Sequence, residues 1–207
     1  MPIVTAIKQQ KKQNRVNVYL DGKFGFGIDL DNFVKCGLRL EKELTSEEIE
    51  AIVKKAEFQK TYEKVLRFAM VRPRSEKEVV SWLKRKKVHE SIHQGLFDKL
   101  KHLELLDDHK FASWWIEQRL AFRPKGKRVL KQELLVKGIT REIIDEVLGE
   151  TPVDEKKLAF NLLAKKISRW RGLSPEESRD KMTGFLARQG FDWGVIRSAI
   201  DETREKS

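Results

Sequence analysis

Val71-Arg72-Pro73-Arg74-Ser75-Glu76-Lys77-Glu78 is written again as Phe122-Arg123-Pro124-Lys125-Gly126-Lys127-Arg128-Val129. Pro73 and Pro124 lie 51 positions apart, and the spacing holds downstream without a gap. Leu83 falls on Leu134, Val88 on Ile139, Ile92 on Ile143 and Leu96 on Val147. Chance supplies an Arg-Pro-basic triplet easily, but not a matching apolar register after it. A fixed period of this size marks one supersecondary unit used more than once.

The unit is helical. Thr45 with Glu48 forms a capping box ahead of an amphipathic run through Ile49, Ile52, Val53, Ala56, Tyr62, Val65, Leu66 and Ala69. Pro73 breaks that run, because it has no N–H to donate and restricts the residue before it. Ser75 and Glu78 form a second capping box, opening a helix that carries Val79, Trp82 and Leu83; another helix follows around Ile92, Leu96 and Leu100. In the second copy Asp107 or Asp108 caps a helix bearing Phe111, Ala112, Trp115, Ile116 and Leu120. Pro124 ends it, Val129, Leu130, Glu133 and Leu134 follow, Gly138 turns the chain, and Thr140 caps a helix with Ile143, Ile144, Val147 and Leu148.

A third copy has diverged further. Thr151-Pro152 predicts an N-cap and a first-turn proline ahead of Leu158, Leu162, Leu163, Ile167 and Trp170. Ser174-Pro175-Glu176-Glu177 opens the next helix, and Gly190 stands where Gly138 stands, at an offset of 52. The expected division is a helical linker with repeat 1 over 45–106, repeat 2 over 107–150 and repeat 3 over 151–207. Units this small have little interior, so they gain by stacking on neighbours. Three of them at roughly 20 Å each would make an elongated array of about 60 Å.

Residues 1–44 read differently. Arg15 to Leu20 and Lys23 to Ile28 alternate in polarity around Asp21-Gly22, a two-residue hairpin turn. Ile3 to Ile7 can supply a third strand, since a lone hairpin is marginal in water. Asp31 to Cys36 then predicts a short helix stopped by Gly37. The fold class is mainly α: three tandem three-helix repeats behind a small β-hairpin or three-stranded segment.

The chain carries 43 Lys and Arg against 32 Asp and Glu, a formal net charge of +11. That balance favours a polyanionic partner, nucleic acid first. Cys36 is the single cysteine, which excludes an intrachain disulfide and a Cys-rich zinc site and fits a reducing compartment. No apolar run reaches the ~18 residues of a membrane span, so a cytoplasmic monomer with no membrane partner is expected.

Candidate contacts are cationic. Arg72, Arg74 and Lys77 in the first copy, and Arg119, Arg123, Lys125, Lys127, Arg128 and Lys131 in the second, crowd the Arg-Pro corners. Cations at a helix start oppose its dipole, so these corners are expected to hold phosphates or acidic side chains against free N–H groups. Lys165, Lys166, Arg169 and Arg171 form a third cluster. Trp82, Trp114, Trp115, Trp170 and Trp193 could stack bases or anchor a partner. Trp82 and Trp115 lie on apolar stripes and are expected in the core, whereas Trp114 must face elsewhere and is the better surface anchor. His89 and His93 have the spacing of a shared helix face, but His89 aligns with the cap Thr140. No nucleophile–base pair, nucleotide fingerprint or carboxylate dyad is apparent, so no catalysis, metal or cofactor is expected.

Several of these stretches together resemble the RecX family of bacterial recombination regulators. They are Arg72-Pro73-Arg74-Ser75, Leu105-Leu106-Asp107-Asp108 running into Phe111-Ala112, Arg123-Pro124-Lys125-Gly126-Lys127, Arg188-Gln189-Gly190-Phe191-Asp192 and Val195-Ile196. The match runs in order over roughly residues 60–201. It implies three three-helix repeats and a non-enzymatic protein that binds filaments of the RecA recombinase, suppressing their ATPase and strand exchange. Direct contact with single- or double-stranded DNA belongs to the same expectation. The alternative is a general DNA- or RNA-binding repeat protein that acts by competing for the strand. Two departures stand out: the N-terminal β segment lies outside the core resemblance, and Arg169-Trp170-Arg171-Gly172 replaces an Arg-Pro corner in repeat 3.

Overall fold

The computed structural model describes residues 1–10, 14–170 and 172–205. By packing, the chain divides into two units, 1–72 with 82–103 and 73–81 with 104–207.

In the first unit, β1 (Val4–Gln9), β2 (Arg15–Leu20) and β3 (Lys23–Asp29) form an antiparallel sheet in that order. The turn works as its residues require: Asp21 and Gly22 both take positive φ, at 48° and 77°. The outer edge of β1 is covered by the chain at 41–44, where the Val4 N–H donates to the Lys42 carbonyl at 3.0 Å. Alternation sends Val16, Val18, Phe26 and Ile28 to one face, buried with Val4, Leu38, Leu44, Ile52 and Ala56. The short helix α1 (Leu30–Lys35) is capped by Asp29, which accepts from both the backbone and the side chain of Asn32. Burial acts to raise the Asp29 carboxyl, but these bonds outweigh it and hold the group below its usual pKa.

Helix α2 (Ser46–Met70) opens on the predicted capping box. The Glu48 N–H donates to Thr45 Oγ1 at 3.2 Å and the Thr45 N–H to Glu48 Oε2 at 2.8 Å. It stops before Pro73, with Val71 as its last cap. Helix α3 (Glu76–Arg85) and, after a 3₁₀ turn at Glu90–Ile92, α4 (His93–His102) complete the first triplet. His89 caps that turn by accepting from the Ser91 N–H, the role its alignment with Thr140 implies. Trp82 stacks on Phe68 at 5.6 Å, and Lys99 lies 4.6 Å from the Tyr62 ring centre.

The second unit holds the other two triplets. These are α5 (Asp108–Phe122), α6 (Lys127–Val136) and α7 (Arg141–Glu150), then α8 (Glu155–Ala164), α9 (Pro175–Gln189) and α10 (Trp193–Glu205). Phe111, Ile116, Leu130, Leu134, Ile144 and Val147 form one core; Leu163, Met182, Leu186, Ile196 and Ile200 belong to another. Leu83 and Leu134, paired by the repeat, are both fully buried. One expectation fails here: Thr151-Pro152 does not start α8. The Thr151 hydroxyl turns back to the Val147 carbonyl at 2.8 Å and closes α7. Asp154 is the N-cap of α8, accepting from the Lys157 N–H at 3.0 Å.

The period also shows in the backbone. After the second helix of each triplet one residue takes positive φ: Lys87 at 54°, Gly138 at 89° and Gly190 at 91°. The residue after it donates back into the helix in all three, Val88 to Leu83, Ile139 to Leu134 and Phe191 to Leu186. Lysine carries a steric penalty in that conformation that glycine does not. Lys87→Gly is therefore expected to raise stability by about 1 kcal/mol, read as an upward shift of the urea midpoint.

Candidate partner-binding surface

The Arg-Pro corners are first of all joints. At the first, Ser75 Oγ donates to the Lys137 carbonyl at 2.8 Å and accepts from the Glu78 N–H at 3.2 Å. The Glu76 N–H at the start of α3 donates to Asp108 Oδ1 at 2.9 Å. The second joint repeats the plan one period later. The Gly126 N–H donates to the Gln189 carbonyl at 2.9 Å, and the Lys127 N–H to Glu155 Oε1 at 2.8 Å. Each corner thus docks on the glycine turn of the next triplet, and an acid from that triplet's first helix caps it. Asp107 caps its own helix, as expected, but its neighbour Asp108 serves α3 instead.

This corrects the reason given for the basic corners. The N–H groups of Glu76 and Lys127 are not available to anions, because carboxylates of the same chain already accept from them. Several cations serve the same joints. Lys125 Nζ donates to Gln189 Oε1 at 2.7 Å and Arg128 to the Ala187 carbonyl at 3.2 Å. Lys77 lays its stem against Gly138, and Arg74 sits 3.9 Å from Glu78. Glu78 also takes Lys137 Nζ at 2.7 Å. Reversing charge at Lys127 and Arg128 therefore strikes a joint, not only a solvated surface.

The other sequence candidates divide by environment. Lys131 pairs with Asp145 at 2.6 Å, and Lys166 lies 4.4 Å from the Phe185 ring centre. Arg72 is half-buried just after α2; Lys127 is half-buried as well. Arg123, Lys165 and Arg169 are exposed. Arg171 lies outside the described residues. The expected clusters are thus drawn apart into structural cations and a smaller exposed set.

Of these exposed cations, Arg123 meets aromatic surface on α5. Two cations lie over the Trp115 ring, the Arg119 guanidinium at 4.7 Å and Lys137 Nζ at 4.8 Å from its centre. Its indole N–H donates to Glu133 at 2.9 Å, and Arg119 Nε reaches the same oxygen at 2.7 Å. Trp115 is a packed residue, as its stripe predicts. Trp114 packs on Phe111 at 5.9 Å, yet also lines a surface groove of about 200 Å³ with Trp115, Gln118, Arg119, Phe122 and Arg123. Phe122 is 77% exposed beside the exposed Arg123. An aromatic ring and a guanidinium together are the residue types that anchor protein interfaces. Sequence reading used Phe122 only as part of the repeated passage and gave it no contact role. Trp193, one of the tryptophans expected to stack a base or anchor a partner, is 70% exposed at the first turn of α10. Ile196 and Ile200, three and seven positions on, are buried, so periodicity alone would have put Trp193 inside.

Comparison with known proteins gives these features a family. Residues 2–45 match the model of the regulatory protein RecX N-terminal domain, 107–148 that of the RecX second three-helix domain and 154–200 that of the third. A regulatory protein RecX of Bacillus licheniformis is 36% identical over 205 residues, covering 98% of this chain and 78% of its own length. That of Bacillus subtilis is 33% identical over 204 residues, covering 98% of this chain and 77% of its own. A crystal structure of regulatory protein RecX superposes with a TM-score of 0.74 at 28% identity, over 97% of this chain and 100% of that one. RecX from Lactobacillus salivarius gives 0.64 at 25% identity, over 72% of this chain and 97% of that one. The N-terminal sheet, outside the motifs that first suggested the resemblance, is thus matched along with the repeats, and the chain belongs to the RecX family of regulatory proteins.

Proposed function

We propose that this protein is a non-enzymatic regulator that binds RecA nucleoprotein filaments and restrains their ATP hydrolysis and strand exchange. Membership of a family of regulatory proteins carries the reading. The contact is assigned to the exposed face of α5, with Phe122 as apolar anchor and Arg123 as its charge, rather than to the Arg-Pro joints. Arg123, Lys165 and Arg169 are among the exposed cations of the expected set, and the net charge of +11 draws the chain toward an anionic filament. Cytoplasmic location and action as a monomer are part of the same proposal.

Phe122→Ala combined with Arg123→Glu should leave the fold intact, since both side chains are exposed. Loss of an anchor and reversal of its neighbouring charge should weaken filament binding by about 2–4 kcal/mol, roughly 30- to 1000-fold. Binding is measured on immobilised RecA–DNA filaments and on bare DNA, each at low and moderate salt. The expected outcome is a large loss on filaments with modest salt dependence. If binding to bare DNA matches the filament and falls steeply with salt, the strand-competition reading takes its place.

A further inference from the structure

A second concave surface lies in the first unit. It is a cleft of about 670 Å³ between the N-terminal sheet and α2. Lys60, Lys64 and Arg67 line its helical wall, and their spacing of four and three residues places them on one helix face over about 10 Å. Arg15 lines the opposite wall, held in place by donating to the Gly27 carbonyl at 2.9 Å. Two carboxylates, Glu57 and Glu63, also line the cleft, so its four cations outnumber them two to one.

The sheet side adds an aromatic lip. Phe24 is 61% exposed and lines the cleft, and the Tyr19 ring stands edge-on to it at 6.0 Å. Lys8 Nζ lies 5.2 Å from the Tyr19 ring centre. Gly27 keeps the surface beside Phe24 low: a Cβ there would come within 2.8 Å of the Gln10 amide nitrogen. A ring left in water on a sheet, facing a wall of cations spaced along a helix, has the two components of a single-strand site. The ring offers a face for a base, and the cations follow the backbone. An acidic peptide would use the same cations, but nothing in its chemistry calls for the exposed ring.

We propose that this cleft binds single-stranded nucleic acid, with a base stacked on Phe24 and phosphates along Lys60, Lys64 and Arg67. The site does not depend on the filament reading, because it needs no RecA.

The test uses the full chain and a short oligodeoxythymidylate, cross-linked by ultraviolet light and mapped by peptide mass spectrometry, with affinity read by fluorescence anisotropy. Adducts are expected on Phe24 or Tyr19. Phe24→Ala should abolish the Phe24 adduct and weaken binding roughly five- to one-hundred-fold, as expected for one stacked base. Lys60→Glu with Arg67→Glu should weaken binding and lower the salt slope by about one for each phosphate no longer neutralised. Both variants alter exposed side chains, and circular dichroism checks that each keeps its secondary structure. Adducts confined to residues 104–205, or no binding at all, would overturn the proposal. So would charge reversal that weakens binding while Phe24→Ala leaves it unchanged, since that describes a cationic groove open to any acidic chain. Failure on any of these counts would leave the α5 contact with filaments untouched.

Discussion

Gly126→Ala is expected to be strongly damaging to the second unit. A Cβ at Gly126 would lie 2.3 Å from the Gly190 carbonyl oxygen and 2.7 Å from the Phe191 nitrogen. Both are backbone atoms, so no side chain can rotate out of the way. The joint must open, stretching the bonds from Gly126 to Gln189 and from Lys127 to Glu155. A loss of about 3 kcal/mol is expected, measured as a fall in the urea midpoint. Gly149→Ala is the control: nothing lies within 4 Å of its Cβ position, so it should be neutral or stabilise by about 0.5–1 kcal/mol. Equal effects from the two substitutions would mean that the corner does not dock as described.

Leu134→Ala is expected to cost about 2–5 kcal/mol. Leu134 is fully buried in the core with Phe111, Ile116, Leu130, Ile139 and Ile144, and truncation leaves a cavity that helices pinned at both ends cannot close. Leu83, one period earlier and equally buried, should show a loss of similar size. A near-neutral result at either position would separate the two repeats that the sequence places in one register.

The repeat was legible because its signals are local and periodic. Capping at Thr45 and Ser174, turns at Gly138 and Gly190, and apolar spacing each depend on neighbours in sequence. The hairpin at Asp21-Gly22 was legible for the same reason. What sequence could not supply were partners far along the chain. Asp108 reads as the cap of its own helix, and only the fold brings it to Glu76, 32 residues earlier. Glu155 reaches Lys127 across 28 residues in the same manner. The expectation of free N–H groups at the basic corners failed for want of these carboxylates, which only the fold places at those helix starts. Thr151 misled in a simpler way, since Thr-Pro suits a helix start, yet the hydroxyl found the nearer carbonyl of Val147. The N-terminal cleft was invisible because its walls, Arg15 with Phe24 and Lys60 with Arg67, belong to segments read separately.

Regulation of RecA through the α5 face, as proposed, is read out in RecA's DNA-dependent ATP hydrolysis. The parent chain is titrated into preformed RecA–DNA filaments beside the Phe122→Ala, Arg123→Glu variant, with the chain alone assayed for any turnover of its own. A falling hydrolysis rate is expected with the parent, little change with the folded variant and no hydrolysis by the chain alone. A rate that the parent leaves unchanged, or that both proteins suppress equally, would contradict regulation through this face.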